Sequence, residues 1–121
     1  LAGLSFGKEL ILDTMRNNGF ASDSVVLAGG ATRSDLWLQI HADVSNLPLT
    51  LTKVPDAPAL GSAILAAVGS GAFSDIGTAT QKMVQVDKVI EPNQETHARY
   101  QPFYKSYRNH YLAMKNARSI L

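Results

Sequence analysis

Two adjacent glycines, Gly29 and Gly30, follow the apolar run Val25-Val26-Leu27-Ala28, and Ser34 soon opens a new amphipathic segment. Glycine has no Cβ, so a strand leaving through Gly-Gly either turns tightly or lets a ligand approach its backbone. Position supports the ligand. A loop from the carboxyl end of a strand to a helix start is where open α/β sheets bind small molecules. Free backbone N–H groups at such a start attract phosphate, and a side chain on Gly30 would occupy space that a nucleotide needs. The loop is not a Walker A sequence, since no Gly-Lys-Ser/Thr follows, nor is it Gly-x-Gly-x-x-Gly. An ordinary turn is the competing reading.

The other chemically able residues are more ordinary. None of His41, His97 and His110 has a second histidine or a carboxylate at zinc-ligand spacing. His97 beside Glu95, and His110 near Arg108, read as solvated surface, and no Ser-His-Asp arrangement can be argued. Asp13 and Asp56 could be caps as easily as acid–base groups. Asp56 is most simply a charge favoured at a helix start. No catalytic residue and no metal ligand is assigned.

The elements that must position the loop follow from periodicity. Leu4, Gly7, Ile11 and Met15 fall on one helical face with Leu10 beside them, and Asn17-Asn18-Gly19 supplies a stop. Residues 25–28 read as a strand buried on both faces. Ser34 is the expected N-cap of a helix whose inner face is Leu36, Ile40, Val44 and Leu47, ended by Pro48. "LTLTKV" alternates like a strand. Pro55 and Pro58 precede a small-residue stripe, Leu60, Ala63, Ile64, Ala67, Val68 and Gly71, expected to pack closely against a sheet. A short surface helix opens at Ser74 or Asp75, and residues 84–90 alternate weakly. Tyr100, Phe103, Tyr104, Tyr107, Tyr111 and Met114 then recur at helical steps. This aromatic stripe reads as packing, with a docking surface for a partner chain as the alternative. Alternating helices and strands imply an α/β fold with parallel strands joined by crossover helices. Two clear strands make a marginal sheet, so the sheet is expected to need neighbours from outside the chain.

Composition bounds the class. With 121 residues, 45% apolar, the chain suits one folded unit with a modest core. Eleven Lys and Arg are dispersed among ten Asp and Glu, so no basic cluster calls for nucleic acid or a membrane surface. Cysteine is absent, which excludes disulfides, thiolate metal sites and a cysteine nucleophile and favours a reducing, cytoplasmic setting. The first residue is Leu1, and the chain opens inside a helix pattern, as a piece of something larger would.

"LAGGATRSDLWLQIHADV", then a strand, then "VPDAPALGSAILAAVGSGAF", resembles the C-terminal end of the FGGY carbohydrate kinases. The residues that carry the resemblance are Gly29-Gly30-Ala31, Ser34, Gln39, Ala42-Asp43 and Ala59-Leu60-Gly61-Ser62-Ala63, and the tail "EPNQETHARYQPFYKSYRNHY" is similar too. The resemblance implies part of a ribonuclease-H-like ATPase lobe of the sugar kinase, Hsp70 and actin type. Residues 1–121 would be the C-terminal part of the second, nucleotide-binding lobe, with 93–121 an appended helical tail. It implies ATP with Mg²⁺, and a sugar substrate, in the xylulose and ribulose kinase manner, bound mostly upstream, where the catalytic aspartate would also lie. It places Gly29, Gly30 and Ala31 on the nucleotide phosphates and Ser34 on the nucleoside side. Homo-oligomerisation is left open. The rival readings are a non-catalytic module docking through the aromatic helix, and an ATPase lobe of the Hsp70 or actin type.

Overall fold

The computed structural model describes residues 1–118, with Ala31 by its backbone. Helix α1 (Ala2–Asn17) ends where Asn18 and Gly19 stop it. Gly19 takes φ +87°, its N–H donates to the Arg16 carbonyl, and the Phe20 N–H reaches back to that of Met15, which closes a Schellman motif. Strand β1 (Val25–Leu27) leads through a 3₁₀ turn (Gly30–Arg33) into α2 (Asp35–Ser45). Strand β2 (Leu49–Thr52), helices α3 (Ala57–Gly69) and α4 (Ile76–Met83), strand β3 (Val86–Ile90) and helix α5 (Gln94–Arg118) follow. The last three positions of the expected tail, 119–121, lie outside the described residues.

The sheet has the order β1-β2-β3. β1 and β2 run parallel, with Val25 opposite Leu49 and Leu27 opposite Leu51, as strands separated by a crossover helix must. β3 supplies a neighbour that the weak alternation of 84–90 had not promised. It joins β2 antiparallel, Leu49 facing Ile90, with an irregularity between Leu51 and Thr52. The third strand therefore comes from the chain itself. β1 is an edge strand and is not buried on both faces: Val26 is 63% exposed. It lies in one row with Thr50 and Val89, on the face opposite the buried Leu49 row.

Helix α2 is the middle of the molecule, packed against α1, α5, β2 and β3. Because it has neighbours on several sides, a single inner stripe describes it poorly. Val44 is buried as expected, but Leu36 is exposed, while Leu38, His41, Ala42, Asp43 and Ser45 are buried. Asn46, in the left-handed region at φ 52°, caps its end two residues before Pro48. α1 also turns a different face inward. Leu4 and Ile11 are 68% and 64% exposed, and Phe6 goes in with Leu10, Ser5 and Glu9. Phe6 wins because α5 offers it three rings: Tyr100, Tyr104 and Tyr107 have centroids 6.1, 6.1 and 5.8 Å away. Aromatic contacts of this kind outweigh burial of one aliphatic edge. The aromatic stripe of α5 is thus packing at Tyr100, Tyr104 and Tyr107, whereas Phe103, Tyr111 and Met114 are exposed. The small-residue stripe of α3 faces α4 rather than the sheet, with Ile64 and Ala79 buried and Ala63 outside.

Polar groups bind these helices together. The Tyr104 hydroxyl donates to Asp13 Oδ2 at 2.9 Å, and Arg16 donates to Asp13 Oδ1 at 2.9 Å and to Glu9. Burial works against the Asp13 carboxylate, but the hydrogen bonds from Arg16 and Tyr104 together hold its pKa below the usual range. Asp13 is therefore a brace between α1 and α5. His97 is half-buried rather than solvated, its Nδ1 donating to the Asp43 carbonyl at 2.8 Å. Asp43 Oδ1 accepts from the Asn93 N–H and from Gln39, which also donates to the Glu91 carbonyl. Gln39 and Asp43 thereby fasten the start of α5 to α2.

Between α1 and α2 lies a buried polar seam. His41 is 3% exposed, and neither ring nitrogen has a partner among the described residues. Its ring lies 3.8 Å from that of Trp37. Burial, and then the nearby Lys8 charge, push its pKa down to about 4. Lys8 donates to the His41 carbonyl and to Ser45 Oγ, and burial brings its own pKa down to about 8.

Two outcomes follow from this packing. Phe6→Ala should destabilise the protein by about 3–5 kcal/mol, as large core truncations do. Leu4→Ala should stay within about 0.5 kcal/mol, as exposed substitutions do. Urea melts returning the opposite order would restore the Leu4-Ile11 face as the buried one. The second outcome concerns pH. Below 6.5 the unfolded chain protonates His41 while the folded chain holds it neutral until about pH 4, so stability drains as pH falls through that window. His41→Leu should remove this part of the slope. Melts at pH 7, 5.5 and 4.5 should show the variant gaining on the parent at each step, and parallel curves would refute the neutral buried imidazole.

Candidate functional site

The parallel pairing of β1 and β2 brings the loops after both strands to one sheet edge, and the glycine loop sits there. Gly29 takes φ +93°, a conformation that L side chains rarely adopt. Its N–H donates to the Pro55 carbonyl at 2.8 Å, joining the two loops. Its carbonyl accepts from the Thr32 N–H at 3.2 Å and from Thr32 Oγ1 at 2.7 Å, which winds the chain into the 3₁₀ turn. Ser34 then takes extended backbone, and its Oγ accepts from the Trp37 N–H at 3.3 Å. Ser34 is the N-cap that its position forecasts. On the neighbouring loop, Asp56 Oδ1 accepts from the Ala59 N–H at 3.0 Å and caps α3, so that this carboxylate is a cap in the structure. Two helix N-termini, each carrying the positive end of a dipole, therefore begin beside the glycines.

Two cavities meet at this loop. One, of about 230 Å³, is lined by Gly29, Gly30, Arg33, Pro55, Asp56 and Pro58. The other, of about 430 Å³ and mostly apolar, is lined by Leu1, Leu4, Gly30, Arg33, Ser34 and Trp37. Gly30 and Arg33 belong to both. A Cβ built on Gly30 meets no atom within 4 Å, so packing inside this chain does not demand glycine at that position. What a side chain there would do is enter cavity space. The arrangement can hold an elongated ligand with a polar anionic end near the glycines and an apolar part against Trp37 and Leu4.

The structure thus gathers Gly29, Gly30 and Ser34 around shared space, with Ala31 in the intervening turn. It adds Arg33 and Trp37, local to the turn and the start of α2, and Pro55, Asp56 and Pro58, which reach the glycines only through strand pairing. Asp56 had a local signal, as a helix-entry residue; Arg33 and Trp37 had none that distinguished them from surface and core. A larger cavity of about 710 Å³ lies elsewhere, between α1, α5 and the end of α2, beside Glu9, Asp13, Arg16 and Tyr104. Those groups already bond one another. Among the described residues no three His, Asp or Glu side chains cluster to hold a metal, and no helix is long and apolar enough to cross a membrane.

Known proteins are similar to this chain in sequence and in structure. Residues 1–70 match the C-terminal domain of the FGGY family of carbohydrate kinases. Over 107 residues the chain is 35% identical to a xylulose kinase of Staphylococcus epidermidis, covering 88% of this chain and 22% of the relative. It is 36% identical over 108 residues to a ribulokinase of Mycolicibacterium smegmatis, covering 88% of this chain and 19% of that one. In structure it matches a xyloylose kinase from Brucella ovis with a TM-score of 0.80 and 27% identity, over 96% of this chain and 24% of that chain. The chain therefore spans less than a quarter of the length of these relatives. With the family's domain matched across more than half of its residues, the chain belongs to the FGGY family of carbohydrate kinases.

Proposed function

We propose that this chain is the nucleotide-binding portion of a kinase that transfers the γ-phosphate of ATP to a carbohydrate hydroxyl. The kinship to a xylulose kinase and a ribulokinase supports a ketopentose as acceptor, and residues 93–121 are read as a helical tail appended to the lobe. The observation that carries the reading is the Gly29-Gly30 loop: Gly30 lines one cavity beside the start of α3 and another beside the start of α2, and among the described residues a Cβ there meets nothing within 4 Å. In this reading the nucleotide phosphates lie along Gly29, Gly30 and Ala31, and Ser34 stands on the nucleoside side while capping α2.

Phosphoryl transfer asks a protein chiefly for positioning and charge stabilisation. The acceptor oxygen bonds to the γ-phosphorus, the bond to the bridging oxygen breaks, and ADP leaves with the electron pair. The hydroxyl proton goes to a base that we assign to no residue of this chain. Mg²⁺, carried in with the phosphates, would neutralise charge on their oxygens. Asp56 is the carboxylate on the smaller cavity and its Oδ1 is already held by the Ala59 amide, so no metal ligand is assigned here.

In the full-length enzyme, Gly30→Val should raise the KM for ATP about 10- to 100-fold, the size expected of inserting a branched side chain into packed space. The KM for the sugar should stay within about twofold of the parent value, an increment of well under 1 kcal/mol. Steady-state assays varying each substrate in turn decide it, with circular dichroism to show that the variant is folded. An unchanged KM for ATP in a folded variant would make the loop an ordinary turn.

A further inference from the structure

We propose that Arg33 is the side chain that holds the nucleotide phosphates at the glycine loop, an inference that rests on the nucleotide reading above and assigns its charge. The loop has already spent part of its backbone. The Gly29 N–H is committed to the Pro55 carbonyl and the Thr32 N–H to the Gly29 carbonyl, so neither is free to donate to a phosphate oxygen. A side-chain donor here would therefore add to what the remaining amides of the turn supply.

Arg33 is placed to supply it. It closes the 3₁₀ turn and lines both cavities together with Gly30. Among the described residues its guanidinium has no hydrogen bond and no ion pair, although two carboxylates are near in sequence or space. Asp35 is paired with Lys88 at 2.7 Å, and Asp56, on the same cavity as Arg33, gives Oδ1 to the Ala59 N–H. Neither acid is paired with Arg33, whose guanidinium remains available to a ligand in the cavities that it lines. Guanidinium presents a planar fork of donors that matches phosphate oxygens two at a time. A charged donor of this kind discriminates by the ligand's charge: it acts on a nucleoside diphosphate and not on the nucleoside.

That difference gives the test, made on the full-length enzyme by titration calorimetry with ADP and with adenosine. Arg33→Gln should weaken ADP about 10- to 100-fold, the loss of a charge-assisted hydrogen-bonded contact, and leave adenosine within about twofold. Arg33→Lys, which keeps the charge but not the fork, should recover part of the loss. If Arg33 merely supported the fold of the turn, ADP and adenosine would weaken together. That result, or no change in ADP, overturns the assignment. Gly30→Val measured alongside keeps the two claims apart. ADP lost in Gly30→Val but kept in Arg33→Gln removes Arg33 alone, while ADP kept in both removes the nucleotide site and Arg33 with it.

Discussion

The hydrogen bond from the Gly29 N–H to the Pro55 carbonyl depends on a sheet register set several residues away. Parallel strands end at the same edge, so pairing Val25 with Leu49 and Leu27 with Leu51 delivers both following loops to one place. The bond forms with Gly29 at φ +93°, a conformation that favours glycine on steric grounds. Once it forms, the chain turns into the 3₁₀ segment, Ser34 caps α2, and Asp56 caps α3 beside it. The smaller cavity follows from that meeting of two loops, and the larger one lies where the glycine turn and the start of α2 meet the first residues of α1.

Helix α2 converts this local geometry into a fixed one. Its N-terminus carries the loop, while its far end is fastened to α5 through Asp43, Gln39 and the His97 contact to the Asp43 carbonyl. Buried polar atoms of this sort rigidify when they are satisfied. The Gln and Ala-Asp of the family-like pattern are therefore structural in this chain: they do not line either cavity at the glycine loop. The ring nitrogens of His41, without a partner among the described residues, have a different character. They sit in a seam where the neutral imidazole is held by packing against Trp37 and by burial rather than by bonds.

The charges around the loop have been partitioned. Asp35 is paired with Lys88 and Asp56 caps α3; Asp56 keeps its charge on the smaller cavity beside Arg33, while the larger cavity has Arg33 and no carboxylate in its lining. That balance suits an anionic ligand. In the proposed reading, a glycine loop without a Walker lysine draws its side-chain charge from the turn that follows the glycines rather than from the first turn of the helix.

What the sequence determined by itself was whatever is encoded within three or four residues. Ser34 and Asp56 cap their helices because a side-chain oxygen reaches an amide three residues on. Asn18 and Gly19 stop α1 because Gly19 takes the left-handed turn, and Leu49 and Leu51 point inward because strand side chains alternate. The glycine loop and its place between strand and helix were legible for the same reason. Tertiary structure alone decided which face of α1 is buried, since Phe6 needed three tyrosines nearly a hundred residues away to outcompete Leu4 and Ile11. It also turned residues 86–90 into an antiparallel third strand, whose pairing is with β2 and not with anything nearby in the chain. Arg33 and Pro55 share a cavity wall for one reason: strand register is a long-range choice, fixed by burial against α2, and no local pattern of residues records it.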